Sequence, residues 1–110
     1  MTPDPKVFRH LLDLAGPAAP ELVRRFRADL GTVRAELDQG FRTADAGLMR
    51  HALHVLIALS GTAGDPATQD AATRLHAAVR SGDDATAQAL RAPVMQGIDA
   101  LIALVEGAAA

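Results

Sequence analysis

The 110-residue sequence contains no cysteine, tryptophan or tyrosine, and its only aromatic residues are three phenylalanines. The absence of cysteine excludes disulfides, thiolate metal sites and cysteine nucleophiles. There is also no run of alternating β-branched residues, so no stretch predicts a strand. Alanine and leucine, the best helix formers among apolar residues, supply much of the 49% hydrophobic content. We therefore expect residues 1–110 to form one all-helical domain with closely packed helices and its own core.

Strong charge and long apolar runs are missing as well. The formal net charge is -2, which gives no electrostatic case for binding nucleic acid. No apolar run reaches the length of a membrane span, and the first ten residues lack the apolar core of a signal peptide. A glycine-rich phosphate loop is absent too. We expect a cytoplasmic protein that binds neither nucleic acid nor membrane.

The spacing of apolar residues predicts five helices with short connections. A short first helix is expected over 5–15 and a second over 20–39. Gly40 is a suitable stop for the second helix, and Thr43 is a suitable cap for the third. The third helix should cover 48–64, ending within its last few residues.

A fourth helix should begin at Pro66 and stop at Gly82. Asp83 or Asp84 then caps a fifth segment, which Pro93 is expected to kink or split because proline lacks a backbone donor. The economical arrangement of these elements is an antiparallel up-down-up-down four-helix bundle with a short additional N-terminal helix.

The third predicted helix, LMRHALHVLIALSGTAG, carries two histidines one turn apart. Helical geometry places its larger apolar residues together on a face that should be buried: Leu48, Ala52, Val55, Leu56 and Leu59. His51 and His54 lie on the opposite side, in a stripe with the small residues Gly47, Ala58 and Gly61. A partner could therefore approach both imidazoles closely.

Three interpretations of this histidine pair remain open. The two residues can be ordinary surface polar groups. Histidines at i and i+3 can also share a metal, but no HExxH motif or carboxylate on this turn completes a site, so neither a metal site nor a haem-binding bundle is expected. A neutral imidazole, whose unperturbed pKa is about 6.5, is also a nucleophile near neutral pH. Exposed on a rigid helix, it can attack a phosphoryl group carried by a second protein.

The residues around His54 follow a recognisable order. Asp45 lies nine residues before His54, which begins the sequence His-Val-Leu. The later elements are Gly64, ten residues after the histidine, then Leu75-His76, and then the segment AVRSGD from Ala78 to Asp83. This order resembles the histidine-containing phosphotransfer domains of bacterial phosphorelays. Those domains combine an acidic residue, His-x-Leu-Lys-Gly-Ser, a glycine, Leu-Glu and Ala-x-Arg-x-Gly-Asp.

The resemblance covers about half the chain and selects one histidine. The pattern fits without a gap when His54 takes the phosphorylated position, whereas His51 would need a three-residue insertion downstream. By resemblance, His54 is the phosphoryl acceptor and His51 the minor alternative. The implied protein is a phosphorelay intermediate that takes a phosphoryl group from a receiver-domain aspartate and passes it to another receiver.

The resemblance also implies the partners. They are response-regulator receiver domains, a hybrid histidine kinase, or both. The chain would have no ATP site, no kinase activity of its own and no cofactor, with Mg²⁺ held by the receiver. We expect it to work as a monomer.

The sequence departs from the family pattern next to the histidine. The family's lysine, three residues after the histidine, is Ile57 here, and the glycine after that is Ala58. Arg50, one turn before His54, can supply the missing positive charge. The residues expected to contact the partner are Arg50, His51, Ile57, Ala58 and Gly61, with a contribution from arginines of the second helix.

Two other functions are compatible with the same residues. The loss of the lysine also fits a degenerate module that binds response regulators without carrying phosphate. A structural helical domain that dimerises through an exposed apolar strip is the third candidate.

Overall fold

The computed structural model describes residues 3–109, and it contains no strand among them. Its helices are α1 (Pro5–Ala15), α2 (Ala19–Thr43), α3 (Ala46–Thr62), α4 (Pro66–Ser81) and α5 (Asp84–Ala109), with a single 3-10 turn at Gly16–Ala18. The expected all-helical class is confirmed. No helix within residues 3–109 is long and apolar enough to cross a membrane.

The four longer helices pack around one core. α3 lies between α2 and α4, and α5 contacts both α4 and α2, which closes the group. Apart from Phe8 of α1, the largest fully buried side chains are aliphatic, and α2 to α5 all contribute: Leu30, Leu37, Leu53, Leu56, Leu75, Ile98 and Leu101. α1 joins this core through Phe8, whose ring meets that of Phe26 edge-on with centroids 5.3 Å apart.

The three connections between the longer helices have the same construction. Each contains a residue with positive φ followed directly by an aspartate: Ala44-Asp45, Gly64-Asp65 and Gly82-Asp83. In each, the aspartate N–H donates to the carbonyl five residues back, which satisfies the end of the preceding helix. The aspartate carboxylate then accepts the N–H three residues on, at 3.0–3.1 Å, and caps the next helix.

This construction corrects two sequence predictions at the end of α2. The helix does not stop at Gly40 but continues to Thr43, and Ala44 takes the left-handed conformation instead. Gly40 serves packing, since a Cβ there would overlap the side chain of Met49 on α3. Thr43 does not cap α3, because its hydroxyl donates to the Gln39 carbonyl at 2.8 Å within α2.

The predicted split of the last helix at Pro93 is also wrong. α5 runs without interruption from Asp84 to Ala109. Pro93 and Ala89, the residue whose carbonyl loses its donor, are both exposed. Water can therefore solvate that carbonyl, and the helix can continue. Asp83, one of the two predicted caps, accepts the N–H of Thr86 at 3.1 Å.

α5 packs tightly against Thr68 of α4 at Gly97, and we expect replacement of this glycine to separate the two helices. A Cβ at Gly97 would lie 2.7 Å from Cγ2 of the buried Thr68. Gly97→Ala should therefore lower the free energy of unfolding by about 1–3 kcal/mol, although alanine is the better helix former. Gly107→Ala on the same helix is the matched control, because a Cβ there meets nothing. Urea unfolding measures the stability of both variants. Equal stabilities would contradict close packing of Gly97 on Thr68.

Candidate functional site

The exposed face of α3 carries most of the predicted site. The side chains of Arg50, His51 and His54 are exposed, as are Ala58 and Gly61. Ile57 is half-buried and packs against the core. The predicted residues thus share one helix, with Ile57 at the edge nearest the protein interior.

The buried face of α3 is rotated from the one that the sequence predicted. The buried residues are Ala52, Leu53, Leu56 and Ser60, whereas Leu48, Val55 and Leu59 are half-buried. The hydroxyl of Ser60 donates to the Leu56 carbonyl at 2.7 Å, so its burial leaves no unpaired donor. Because α3 packs against both α2 and α4, its half-buried flanks lie against two different helices.

Three basic side chains act on His76 of α4 through their charges, and we call these three and His76 together the cationic cluster: Arg50, His54, His76 and Arg80. His76 is half-buried and lies on α4. Burial lowers the pKa of His76 below its ordinary value, and the charges of Arg80, His54 and Arg50 lower the pKa further. The cationic cluster is therefore electrostatically positive around His76, and it favours an anion.

The surroundings of His51 have the opposite sign. His51 lines a shallow depression of about 180 Å³ between α2 and α3, together with the carboxylate residues Asp29 and Glu36. Its floor is formed by Val33, Ala52 and Val55. The two histidines are thus one turn apart on the same helix, yet His51 shares a depression with carboxylates, whereas His54 belongs to the cationic cluster.

A side-chain hydrogen bond joins α4 to α3 beside this site. Nε2 of Gln69 donates to the Ile57 carbonyl at 3.3 Å. Gly61 makes room for this contact, since a Cβ there would lie 2.5 Å from Gln69 Nε2. The predicted residues Ile57 and Gly61 therefore have a structural role in holding the two helices together.

The arginines of α2 are mostly engaged elsewhere. Arg27 pairs with Glu106 at 2.8 Å and Arg34 with Asp99 at 2.7 Å, which ties α2 to α5. The bond to Asp99 raises the pKa of Arg34. Arg25 instead lines a groove that reaches Leu59 of α3. Of these three arginines, Arg25 is the one beside α3.

The residues around His54 do not resemble a metal site. Within residues 3–109, no group of three or more histidine, cysteine or carboxylate residues is placed to hold a metal ion. Two guanidinium groups accompany the imidazoles of the cationic cluster, and their charge opposes the binding of a cation.

His76 and Arg80 are the members of the site that sequence reasoning did not single out. Both occur in the segment used for the family resemblance, but without a role. Their i, i+4 spacing on α4 was a usable signal, because it places both on one helix face beside the buried Ala72 and Leu75. Their position next to His54 depends on how α4 packs on α3.

Comparisons with known proteins give no relative: no protein-family model matches the chain, and neither a curated protein nor a solved structure is similar to it.

Proposed function

We propose that this protein is a phosphorelay intermediate: His54 accepts a phosphoryl group from an aspartyl phosphate on a receiver domain and passes it to a second receiver. The observation that carries the proposal is the cationic cluster. It combines an exposed imidazole with positive charge from two helices. The sequence resemblance to phosphotransfer domains points independently to the same histidine.

The chemistry requires little from this domain. The Nε2 lone pair of His54 forms a bond to phosphorus, and the bond from phosphorus to the aspartyl oxygen breaks, leaving the receiver's carboxylate. The phosphoryl group arrives with two negative charges, so Arg50 and Arg80 stabilise it on the imidazole. The receiver provides the Mg²⁺ ion, and the chain needs no ATP site or kinase activity.

The choice between the two histidines follows from charge. A phosphoryl dianion on His51 would lie beside Asp29 and Glu36 and be repelled. The same group on His54 is attracted by Arg50 and Arg80. Electrostatics thus supports the histidine that the gapless sequence pattern favours.

The lengths of the connections support a particular topology for the helical bundle. Two or three residues join each pair of successive long helices, which is typical of antiparallel neighbours. We therefore propose an up-down-up-down bundle, with α1 packed on it through Phe8. A relay between receivers operates in the cytoplasm, and the protein is proposed to act there as a monomer.

The experiment that tests this function uses a panel of purified receiver domains phosphorylated with acetyl phosphate. Transfer of acid-labile phosphate to the protein from at least one receiver is the expected result. Binding to a receiver without any transfer would overturn the proposal in favour of the degenerate module, which the half-buried Ile57 in place of a lysine favours. Neither binding nor transfer across the panel would contradict both functions.

A further inference from the structure

The register of α3 and α4 brings His76 to within about one turn of the level of the acceptor histidine. Residues 63–65 connect the two helices, and the Gln69–Ile57 bond joins them farther along. Counted away from the connection, His76 lies seven residues, or two turns, beyond Gln69 on α4. Arg50 lies seven residues beyond Ile57 on α3. His54 lies between Ile57 and Arg50, so His76 lies about one turn from the level of His54.

His76 differs from the other members of the cationic cluster because its charge is adjustable. The guanidinium groups stay protonated at all relevant pH values, whereas an imidazole titrates near neutrality. The groups whose charges act on His76 are Arg80 on α4 and Arg50 and His54 on α3. All three are basic, and together with partial burial they favour neutral His76 in the unmodified protein.

We propose that His76 is a positioning residue that takes up a proton when His54 is phosphorylated, and that its imidazolium then holds the phosphoryl group. This inference rests on the proposed function of His54. Phosphorylation replaces a weakly basic neighbour with a dianion, so one of the three charges that act on His76 changes sign. The proton comes from solvent, and it returns there when the phosphoryl group leaves.

The direction of the pH dependence follows from proton counting. The phosphorylated protein binds one more proton at His76 than the unmodified protein does. Lower pH therefore favours phospho-His54, and the advantage is lost as the pH rises above the pKa that His76 has in the phosphorylated state. The proposal thus makes the position of the transfer equilibrium sensitive to pH near neutrality.

The direct test needs no receiver. Phosphoramidate transfers its phosphoryl group to exposed histidines, and ¹H–¹⁵N spectra of the imidazoles give the titration curve of each histidine. Phosphorylation of His54 should increase the proton affinity of His76 about tenfold or more, as expected for a nearby opposite charge. In protein that carries phosphate on His54 alone, the curve of His10 on α1 should not move. An unchanged His76 curve in protein that carries phosphate on His54 would overturn the proposal.

A second comparison avoids phosphorylation altogether. His54→Glu places a permanent negative charge at the acceptor position, and His54→Gln is its neutral counterpart. The proton affinity of His76 should be higher in the glutamate variant, and equal affinities in the two variants would also refute the inference. Neither of these two measurements uses a receiver. A failure of the proposed relay function would therefore appear separately, in the experiment with the panel of receiver domains.

The functional readout is a pH profile. At equilibrium with a phosphorylated receiver, the share of phosphate on His54 should rise from pH 8 to pH 6 more steeply in the wild type than in His76→Gln. His76→Lys carries a permanent charge and should keep the high share at pH 8. Identical profiles for the wild type and His76→Gln would mean that His76 has only a structural role.

Discussion

Replacing Leu53 with alanine is expected to lower the free energy of unfolding by about 2–5 kcal/mol. Leu53 is fully buried at the centre of α3, within the core shared by the longer helices. The substitution removes three carbon atoms from a closely packed site and leaves a cavity. The free energy of unfolding of small domains is only about 5–15 kcal/mol, so this single change removes a large part of it.

The matched control for this prediction is Leu14→Ala. Leu14 lies on α1 with 73% of its surface exposed, so the same chemical change removes almost no buried area. Its unfolding free energy should stay within about 0.5 kcal/mol of the wild type. Urea denaturation followed by circular dichroism measures both variants. A Leu53→Ala protein as stable as Leu14→Ala would mean that α3 presents a different face to the core.

Reversing the charges of the cationic cluster is expected to slow phosphorylation of His54 by about tenfold for each arginine reversed. Arg50→Glu and Arg80→Glu each replace an attractive charge with a repulsive one near the incoming dianion. Both side chains are exposed, so the loss should shrink as salt is added. The rate of transfer should be measured from a receiver and from phosphoramidate. Phosphoramidate is a small molecule that needs no docking surface, so its rate reports charge stabilisation without receiver docking.

Arg74→Glu is the matched control on α4. Arg74 is exposed and pairs loosely with Asp70 at 3.9 Å within its own helix, outside the cationic cluster. Its reversal changes the net charge of the protein as much as Arg80→Glu does, but the rate with phosphoramidate should remain that of the wild type. Equal effects of the two reversals would show that only overall charge matters and that the cluster has no special role.

The helices were predictable where the chain gives unambiguous local signals. The start of α1 follows from Asp4, whose carboxylate accepts the Lys6 N–H and caps the helix, and from the proline that begins the helix. The bounds of α4 follow from Asp65-Pro66 and Gly82. At the end of α2 the signals were ambiguous, because glycine serves both as a helix stop and as a site of close packing, and Gly40 has the second use.

The site was predictable only in the part that belongs to a single helix. Exposure of His51 and His54 follows from the periodicity of α3. Their different electrostatic surroundings could not be predicted, because they come from α2 on one side and α4 on the other. α4 also meets α3 through the hydrogen bond from Gln69 to the Ile57 carbonyl, which no pattern in the sequence indicates.

Some residues that match the phosphotransfer-domain pattern have a structural role in the connections between helices. Asp45 and Asp83 cap helices, while Gly64 and Gly82 adopt positive φ in the turns. Such residues suit any antiparallel helical pair with tight connections, so they support the fold more than the function. The functional hypothesis depends instead on His54 and the positive charge around it.

The most direct test of this hypothesis is the location of the phosphate. Wild type, His51→Gln and His54→Gln should be incubated with the same phosphorylated receiver, and acid-labile phosphate on each measured by intact mass and phosphate-affinity gels. The expected result is normal phosphorylation of the wild type and of His51→Gln, with none on His54→Gln. Phosphate that persists on His54→Gln and disappears from His51→Gln would contradict the electrostatic account of the acceptor.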